Sequence, residues 1–454
     1  MRKNELPHAP DGAPATVVFE GRPLSAKVGE PLSVTLLAHG IDIASRSVKY
    51  HRPRGAFCMV GTCGQCWMRV DDVPNRAACT TPVRSGLTAT RENAFPSADH
   101  DLFRAADYAF PDGLDHHKLG TTPLTPLNTI IGSTARQMAG LGTLSSQVPP
   151  PAPKVGQISA DALVIGGGPA GLAAARALAQ AGHGVLLVER RRALGGQILN
   201  GLFGDDAELV GLANRCLAAL SPERSAAFTH TVALGAYPRA GGLPEILLRR
   251  HYGTPEEQLW VARARTIVFA TGGYEQALLF GNNDLPGHYG ARALARLVVV
   301  RGISVGARVA IVEDQRAVET ADRLEQALTK LGLKVRRVRG HGEQAERVMF
   351  ANGNSRIKSL RLSRGEQAEE IKVDAVASAL PVAPAFELPS QAGCAIRYSR
   401  LDGGFAVETT DTATDRPGIF AAGELTGAKS AAAAMKDGAN AGAAAARWLE
   451  EAGR

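Results

Sequence analysis

The chain has 454 residues, of which 21% are charged, 5% are aromatic and 50 are glycine, and its formal net charge is +7. This length exceeds one ordinary hydrophobic core, so two or three domains are expected. The basic residues form no lysine or arginine block with interleaved aromatics, which argues against a nucleic-acid surface. The polar start MRKNELPHAPDG lacks a signal-peptide core, and no apolar stretch of about 18 residues follows. We expect a cytoplasmic chain that does not span a membrane.

The first pattern in the chain predicts a β-hairpin followed by a helix over residues 16 to 45. TVVFEG and RPLSAKV favour strands, and GEPLSVTLLAHGI has apolar residues at helical spacing. A loop rich in cysteine follows directly.

Four of the six cysteines crowd into 22 residues. They are Cys58, Cys63, Cys66 and Cys79. The C-x4-C-x2-C start is the plant-type ferredoxin spacing, and thiolates of this kind hold iron–sulfur clusters. We therefore predict that these four residues bind a [2Fe–2S] cluster. A structural zinc site, which usually has two separated cysteine pairs, and a set of buried free cysteines are the alternatives.

Gly61 and Gly64 lie inside this loop, where a backbone that wraps around a cluster needs positive φ or close approach.

The tract SVKYHRPRGAFCMVGTCGQCWMRVDDVPNRAACTTPV resembles the small [2Fe–2S] component of hydrogen cyanide synthase and of opine and hydroxyproline dehydrogenases. The tract RSVKYHRPRG also resembles the N-terminal domain of the sarcosine oxidase α subunit, which generally lacks the cysteines that this chain keeps.

Regular patterns are weak over residues 106–157, and SSQVPPPAPKVGQ predicts an extended linker with a domain boundary. After it, ADALVIGGGPAGLAAARALAQAGHGVLLVER predicts a βαβ unit of parallel-sheet type. Gly166, Gly168 and Gly171 follow the strand and open the helix, where glycines let a pyrophosphate reach the helix N-terminus. Glu189 ends the second strand and can accept hydrogen bonds from an adenosine ribose.

Two later segments, FATGG and GIFAAGELTG, resemble flavin-contacting motifs of two-dinucleotide flavoproteins of the glutathione-reductase type. The resemblance implies roles for Thr271, Gly272, Gly423 and Glu424, although the acid of the last motif is usually Asp. The alternative is that these glycines serve packing alone. The complete set of predicted FAD-binding residues is Gly166, Gly168, Pro169, Ala170, Gly171, Glu189, Arg190, Gly196, Gln197, Thr271, Gly272, Gly423 and Glu424.

A second βαβ pattern spans residues 306 to 339, but its turn carries Glu313, Asp314, Gln315 and Arg316 in place of glycines. Side chains and carboxylates then stand where NAD(P)H phosphates would need bare amides and no negative charge. We predict that this domain keeps the fold and has lost NAD(P)H binding.

These elements predict an α+β, β-grasp [2Fe–2S] domain followed by an α/β two-dinucleotide-domain flavoprotein fold. The expected boundaries are a ferredoxin domain at 1–105, a connector and linker at 106–157, and a first FAD-binding part at 158–285. A degenerate NAD(P)-like domain follows at 286–385, and a second FAD-binding part at 386–454.

Nearly the whole chain resembles the fused ferredoxin–FAD α subunits of heteromeric amine and amino-acid dehydrogenases. The resemblance implies an electron-transfer subunit, a D-amino-acid-oxidase-like flavin β subunit that oxidises a secondary amine or amino acid, and a quinone or electron-transfer protein as acceptor. It also leaves room for an FMN at a subunit interface and for attachment to the inner membrane through partners. Because the folate-binding half of sarcosine oxidase α does not follow, we expect no folate-linked reaction. Because the cysteine-rich C-terminal extension common in opine-oxidase α subunits does not follow either, we expect one cluster per chain.

Two other functions are compatible with the motifs. A self-sufficient NAD(P)H-dependent ferredoxin-type reductase shares the fold. The first nucleotide site could also hold ATP or NAD, because the glycine fingerprint recognises an ADP moiety.

The sequence predicts no catalytic set. We expect His116 and His117 to be solvated or at an interface, and His51 to order the cluster loop. Trp67, directly after Cys66, could line an electron path, but we expect it to pack in the core around the cluster.

Overall fold

The computed structural model describes residues 2–109, 155–252, 256–427 and 429–452, with shorter pieces at Pro123, Pro126, Asn128, Thr129, Gly132, Ser133, 144–146, Val148, Pro153 and Thr254. The chain divides into two units, each built from two stretches. These are Met1–Pro149 with Ala277–Leu380, and Pro150–Gln276 with Pro381–Arg454. Most of the predicted connector lies outside the described residues.

The first stretch of the first unit is a five-stranded sheet of β-grasp type with strand order β2-β1-β7-β5-β6. Its strands are β1 Pro14–Phe19, β2 Arg22–Lys27, β5 Trp67–Val70, β6 Val73–Ala77 and β7 Thr88–Thr90, and a separate pair is β3 Ser45–Arg46 with β4 Pro53–Arg54. Helix α1, Leu32–Ala38, is entirely buried. The predicted hairpin and helix are therefore confirmed. A 3-10 turn at Leu102–Arg104 and helix α2, Ala105–Ala109, end this stretch.

The second stretch of the first unit contains the second βαβ pattern. A parallel sheet of order β15-β21-β16-β17 is formed by β15 His288–Gly290, β16 Arg308–Glu313, β17 Lys334–Arg339 and β21 Ala375–Ala379. Its helices are α6 Ala291–Ala295, continued by a π-helical turn at Arg296–Val300, and α7 Val318–Lys330. An antiparallel sheet consists of β18 Arg347–Gly353, β19 Ile357–Arg364 and β20 Gln367–Lys372.

The second unit is built on a seven-stranded sheet of order β10-β9-β8-β13-β12-β11, with β25 beside β13. Its strands are β8 Val155–Ile165, β9 Val185–Val188, β10 Ala226–Phe228, β11 Thr231–Tyr237, β12 Glu245–Arg250, β13 Gln258–Phe269 and β25 Ile419–Ala421. The central strands β8, β9, β13 and β25 are parallel. Because β9 and the last four residues of β8 are fully buried, both faces of the sheet are covered here.

The helices of the second unit are α3 Pro169–Gln180, α4 Ala207–Val210, α5 Leu212–Ala219, α8 Glu387–Gln391 and α9 Ala431–Glu451. Short strand pairs join β14 Gly273–Tyr274 to β22 Ala383–Pro384, and β23 Ile396–Ser399 to β24 Gly404–Val407.

Helices α3 and α9 pack closely through small residues. A Cβ atom at Gly438 would lie 2.0 Å from the carbonyl oxygen of Ala170, and one at Gly442 would lie 2.5 Å from that of Ala174. Glycine is required at both positions, and the middle of α9 is thereby held against the first half of α3. In the part of the chain that the structure describes, no helix combines the length and apolar character needed to cross a membrane.

Candidate cluster and nucleotide sites

Three of the four clustered cysteines lie in the loop between β4 and β5 of the first unit, and Cys79, just after β6, meets them there. Cys58, Cys66 and Cys79 are buried and Cys63 is partly exposed. The Cys58 thiol contacts those of Cys63 and Cys79, and the Cys66 thiol also contacts Cys79. Hydrogen bonds from Cys63 and Cys79 lower the pKa of Cys58 below its ordinary value.

The backbone of this loop is arranged to donate to sulfur. The amide of Gly61 donates to Cys79 Sγ at 3.2 Å, and the amide of Thr62 donates to Cys58 Sγ at 3.3 Å. Gly61 and Gly64 have φ of +79° and +69°, a conformation that favours glycine. Amides directed at thiolates stabilise the negative charge that a cluster carries.

Within the described ranges, no three metal-binding side chains are placed to hold one metal ion. A two-iron cluster differs from a single ion because it divides four thiolates between two irons.

Cys216 and Cys394 lie apart from this loop as buried thiols, and burial raises the pKa of Cys216 to about 11.

The prediction that Trp67 packs in the core is wrong. Its side chain is 49% exposed, and it lies over Gly64, where an added Cβ would come within 3.3 Å of the indole.

His51, in contrast, is fully buried, and its Nδ1 lies 2.8 Å from the carboxylate of Asp101. This pair holds the segment before the cluster loop. His116 and His117 lie outside the described residues.

The predicted nucleotide-binding residues of the second unit come together at the carboxyl ends of its parallel strands. A Cβ at Gly171 would lie 1.7 Å from Gly166 O, so the turn between β8 and α3 requires glycine. Pro169 opens α3 directly after Gly168, and Ala170 follows it. This turn directs the N-terminus of α3 at the space where a pyrophosphate would lie.

Glu189 lies beside the glycine turn at the end of β9. One oxygen of its carboxylate accepts from the amide of Gly167 and the other from the amide of Arg191, each at 2.7 Å. A carboxylate offers about four acceptor positions, so it can still accept from a ribose. Arg190 lies between these contacts and is partly exposed.

Gly196 and Gln197 begin a 3-10 turn that packs on the glycine turn. The amide of Gly195 donates to Gly167 O at 2.8 Å, and a Cβ at Gly196 would lie 2.6 Å from Gly168 Cα. The close approach explains the glycine at 196 and places Gln197 beside the same turn.

The two later motifs complete this group. Gly423 lies against Ala170, because an added Cβ would come within 2.8 Å of the alanine methyl. A Cβ at Gly272 would lie 4.0 Å from an oxygen of the buried Glu424. Thr271 donates from its hydroxyl to Ala385 O at 2.8 Å. The extra methylene of Glu424 thus leaves its carboxylate near the FATGG segment.

Sequence reasoning missed Asp437, on α9. Its carboxylate accepts from the amide of Gly423 at 2.8 Å and from Lys429 Nζ at 2.6 Å. The signal was an acid directly before Gly438, where α9 contacts α3. Asp437 fixes the turn that carries Gly423 and Glu424.

The corresponding turn in the first unit is filled by ion pairs. Glu313 is buried at the end of β16 and pairs with Arg337 and Arg339 at the end of β17. Asp314 binds the guanidinium of Arg316 through both carboxylate oxygens, at 2.7 and 2.9 Å. The guanidinium of Arg316 lowers the pKa of Asp314.

Fold and sites together define an oxidoreductase that combines an iron–sulfur domain with a flavin domain. Residues 12–94 match the family described as 2Fe-2S iron-sulfur cluster binding domain, and residues 161–238 match FAD dependent oxidoreductase. The chain thus contains a [2Fe–2S] cluster binding domain and an FAD-dependent oxidoreductase domain.

Two curated relatives agree with this assignment. Sarcosine oxidase subunit alpha of Rhizobium meliloti (strain 1021) is 29% identical over 417 residues, or 84% of this chain and 41% of the relative. Hydrogen cyanide synthase subunit HcnA of Pseudomonas aeruginosa is 35% identical over 81 residues, or 18% of this chain and 77% of the relative. The chain therefore spans well under half of the sarcosine oxidase subunit.

A solved structure shows the same fold over the whole chain. The crystal structure of L-proline dehydrogenase from P. horikoshii matches with a TM-score of 0.73 and 24% identity, covering 100% of this chain and 76% of that one. This likeness confirms the predicted fold class.

Proposed function

We propose that this chain is the electron-transfer subunit of a heteromeric dehydrogenase or oxidase that acts on a secondary amine or amino acid of opine, sarcosine, proline or hydroxyproline type. Electrons would pass from a partner flavin subunit through FAD and [2Fe–2S] to a quinone or an electron-transfer protein. One observation carries the proposal. The glycine turn at the N-terminus of α3 is open to a nucleotide, whereas the corresponding turn after β16 is filled by ion pairs. The same chain also contains the four clustered cysteines.

Cys58, Cys63, Cys66 and Cys79 are the proposed cluster ligands. Their thiols adjoin, two of them accept backbone N–H groups, and three are buried from water. Four adjoining thiols without a disulfide, three of them buried, suit a cluster, because buried thiolate charge must be balanced by iron and by hydrogen-bond donors.

The thirteen residues that converge on the α3 turn are the proposed FAD site. FAD, when bound, supplies two-electron uptake and one-electron release. The chain contributes the N-terminus of α3, the acceptor positions of Glu189, and the segments around Thr271 and Gly423. ATP or NAD in this site is the alternative, since the glycine turn contacts only the diphosphate.

The composition of the turn after β16 supports the proposal that this chain does not bind NAD(P)H. Asp314 and Glu313 place carboxylates at the end of β16, and α7 begins only after Arg316. A nucleotide phosphate approaching this turn would meet negative charge where the intact turn offers amides. Electrons must then come from another source, and we propose a D-amino-acid-oxidase-like β subunit as that source.

The relatives support a partner of this kind, since two of them are named as subunits. We propose a cytoplasmic location for the complex, with any contact to the inner membrane made through partners, and no contact with nucleic acid. An FMN at the subunit interface is part of the proposal.

The test uses the full chain, purified anaerobically. We expect iron, acid-labile sulfide and FAD, and no flavin bleaching when sarcosine, proline, hydroxyproline or an opine is added to the chain alone. Bleaching should appear when the flavoprotein encoded beside this gene is added. Substrate-driven reduction without any partner would refute the proposal.

The same preparation discriminates the alternatives. Fast bleaching of the flavin after stopped-flow mixing with NADH or NADPH would establish the reductase function. Release of ATP or NAD instead of FAD on denaturation would show that this chain does not hold the flavin.

The cluster ligands are tested by substitution. Cys63→Ser should lose the cluster, while the matched control Cys394→Ser should keep it.

A further inference from the structure

Both carbonyl groups that flank Cys58 receive hydrogen bonds from the degenerate dinucleotide domain. The amide of Gly290 donates to Phe57 O at 3.2 Å, and Nη1 of Arg296 donates to Met59 O at 3.4 Å. Gly290 precedes α6 and Arg296 begins the π-helical turn. A single segment, residues 284–296, therefore contacts the cluster loop on both sides of one proposed ligand; it is called the docking segment below.

The chain before Cys58 also approaches the docking segment closely. A Cβ at Gly55 would lie 2.9 Å from Pro286 Cα, so no larger residue fits without moving the backbone. Phe57 packs its ring edge on His288, with ring centroids 5.2 Å apart. Arg54 pairs with Asp284 at 3.3 Å. These contacts fix the position of the loop on this domain.

The charge of Arg296 distinguishes it from the residues of the cluster loop. The cluster loop from Gly55 to Met68 contains no Asp, Glu, Lys, Arg or His. A guanidinium is always protonated, so Arg296 brings a permanent positive charge to a loop whose ionisable side chains are its cysteines. A π-helical turn redirects side chains and often occurs at functional sites.

A positive charge near the cluster changes its redox equilibrium. Four thiolates, two sulfides and two ferric irons carry a net charge of −2, and adding one electron makes it −3 without forming or breaking a bond. A nearby cation favours the more negative, reduced form, so it raises the reduction potential.

We propose that the degenerate dinucleotide domain has been retained as a dock for the cluster, and that Arg296 is a positioning residue that raises the cluster's reduction potential. This inference rests on the proposed ligation by Cys58. In this proposal the domain no longer binds a nucleotide, and its role is to support the iron–sulfur loop.

The test is a redox titration of the holoprotein followed by the electron paramagnetic resonance signal of the reduced cluster. In Arg296→Gln, the ratio of reduced to oxidised cluster at the wild-type midpoint should fall about tenfold, which is about 59 mV for one electron. Arg296→Lys keeps the charge and should recover part of this shift. The control, Arg323→Gln on α7, removes a partly exposed charge of the same domain and should leave the potential unchanged.

An unchanged potential in Arg296→Gln, with full iron and sulfide content, would overturn the inference and leave the proposed function standing. A wild-type chain without iron and sulfide would instead defeat the proposed function. If Arg296→Gln does not fold, Arg296→Met decides, because it removes the charge and keeps an unbranched side chain: a potential below that of wild type with a stable cluster supports the role, and an identical potential contradicts it.

Discussion

Glu313 and Arg337 form a buried ion pair across the ends of β16 and β17, and their side chains are 1% and 9% exposed. Asp322 and Glu325 also bind Arg337, from α7. The pair therefore joins the first strand, the second strand and the helix of the second βαβ unit. The end of β17, where a dinucleotide fold ordinarily meets the adenosine ribose, is occupied by arginines that the protein itself neutralises.

Removing the carboxylate of this pair should destabilise the first unit. Glu313→Gln leaves the buried Arg337 facing an uncharged amide, and we expect a loss of about 3 kcal/mol in the free energy of unfolding. Urea unfolding measures this change. Glu319→Gln is the control, because its exposed pair with Arg323 is worth less than about 0.5 kcal/mol. Equal losses in the two variants would contradict the buried-pair argument.

The glycine turn at α3 predicts a second effect, on cofactor content. Gly171→Ala places a methyl group 1.7 Å from Gly166 O, so the turn must open and the helix N-terminus must shift. We expect FAD affinity to fall about tenfold or more, a change of at least about 1.4 kcal/mol. FAD retained per chain after gel filtration is the readout. Gly204→Ala, with no atom near its added methyl group, should retain wild-type FAD.

Two neighbouring residues in the cluster domain should lose very different amounts of stability on truncation. Trp67 is half exposed whereas Met68 is 1% exposed, since they lie on opposite faces of β5. Met68→Ala should cost about 2–5 kcal/mol and lower the iron content, while Trp67→Ala should cost under about 1 kcal/mol. Thermal unfolding and iron analysis would test this. A larger loss from Trp67→Ala would restore the core-packing interpretation.

Local sequence patterns predicted the parts of this molecule that local chemistry controls. The cysteine spacing, the GGGPAG turn and the first hairpin each depend on residues within one short segment. The contact of Arg52 and Arg54 with Asp284 joins residues about 230 positions apart, and no periodicity could show it. The exposure of Trp67 escaped prediction because a four-residue strand is too short to show which face is buried. Asp437 escaped because its partner Gly423 comes from another element.

The final prediction concerns pH and His288. Burial lowers the pKa of His288 from 6.5 to about 4, so the ring is neutral near pH 7. Its Nδ1 then donates to Asn283 O at 2.8 Å, and Nε2 accepts from the Ser378 hydroxyl at 2.6 Å. Between pH 6.5 and 4 the unfolded chain binds more protons than the folded one, so stability present above pH 6.5 is lost as the pH falls. This group alone contributes up to about 3 kcal/mol to that loss.

A comparison of His288→Gln with wild type isolates this contribution. Burial also lowers the pKa of His230 to about 4, but that histidine is present in both proteins and cancels in the difference. Urea unfolding at pH 7 and pH 5 should therefore show a smaller loss of stability on acidification in His288→Gln. The exposed His100 provides the control, since His100→Gln should follow the wild-type pH dependence. If His288→Gln and wild type lose the same stability between these pH values, the histidine is not buried as a neutral ring against the cluster loop.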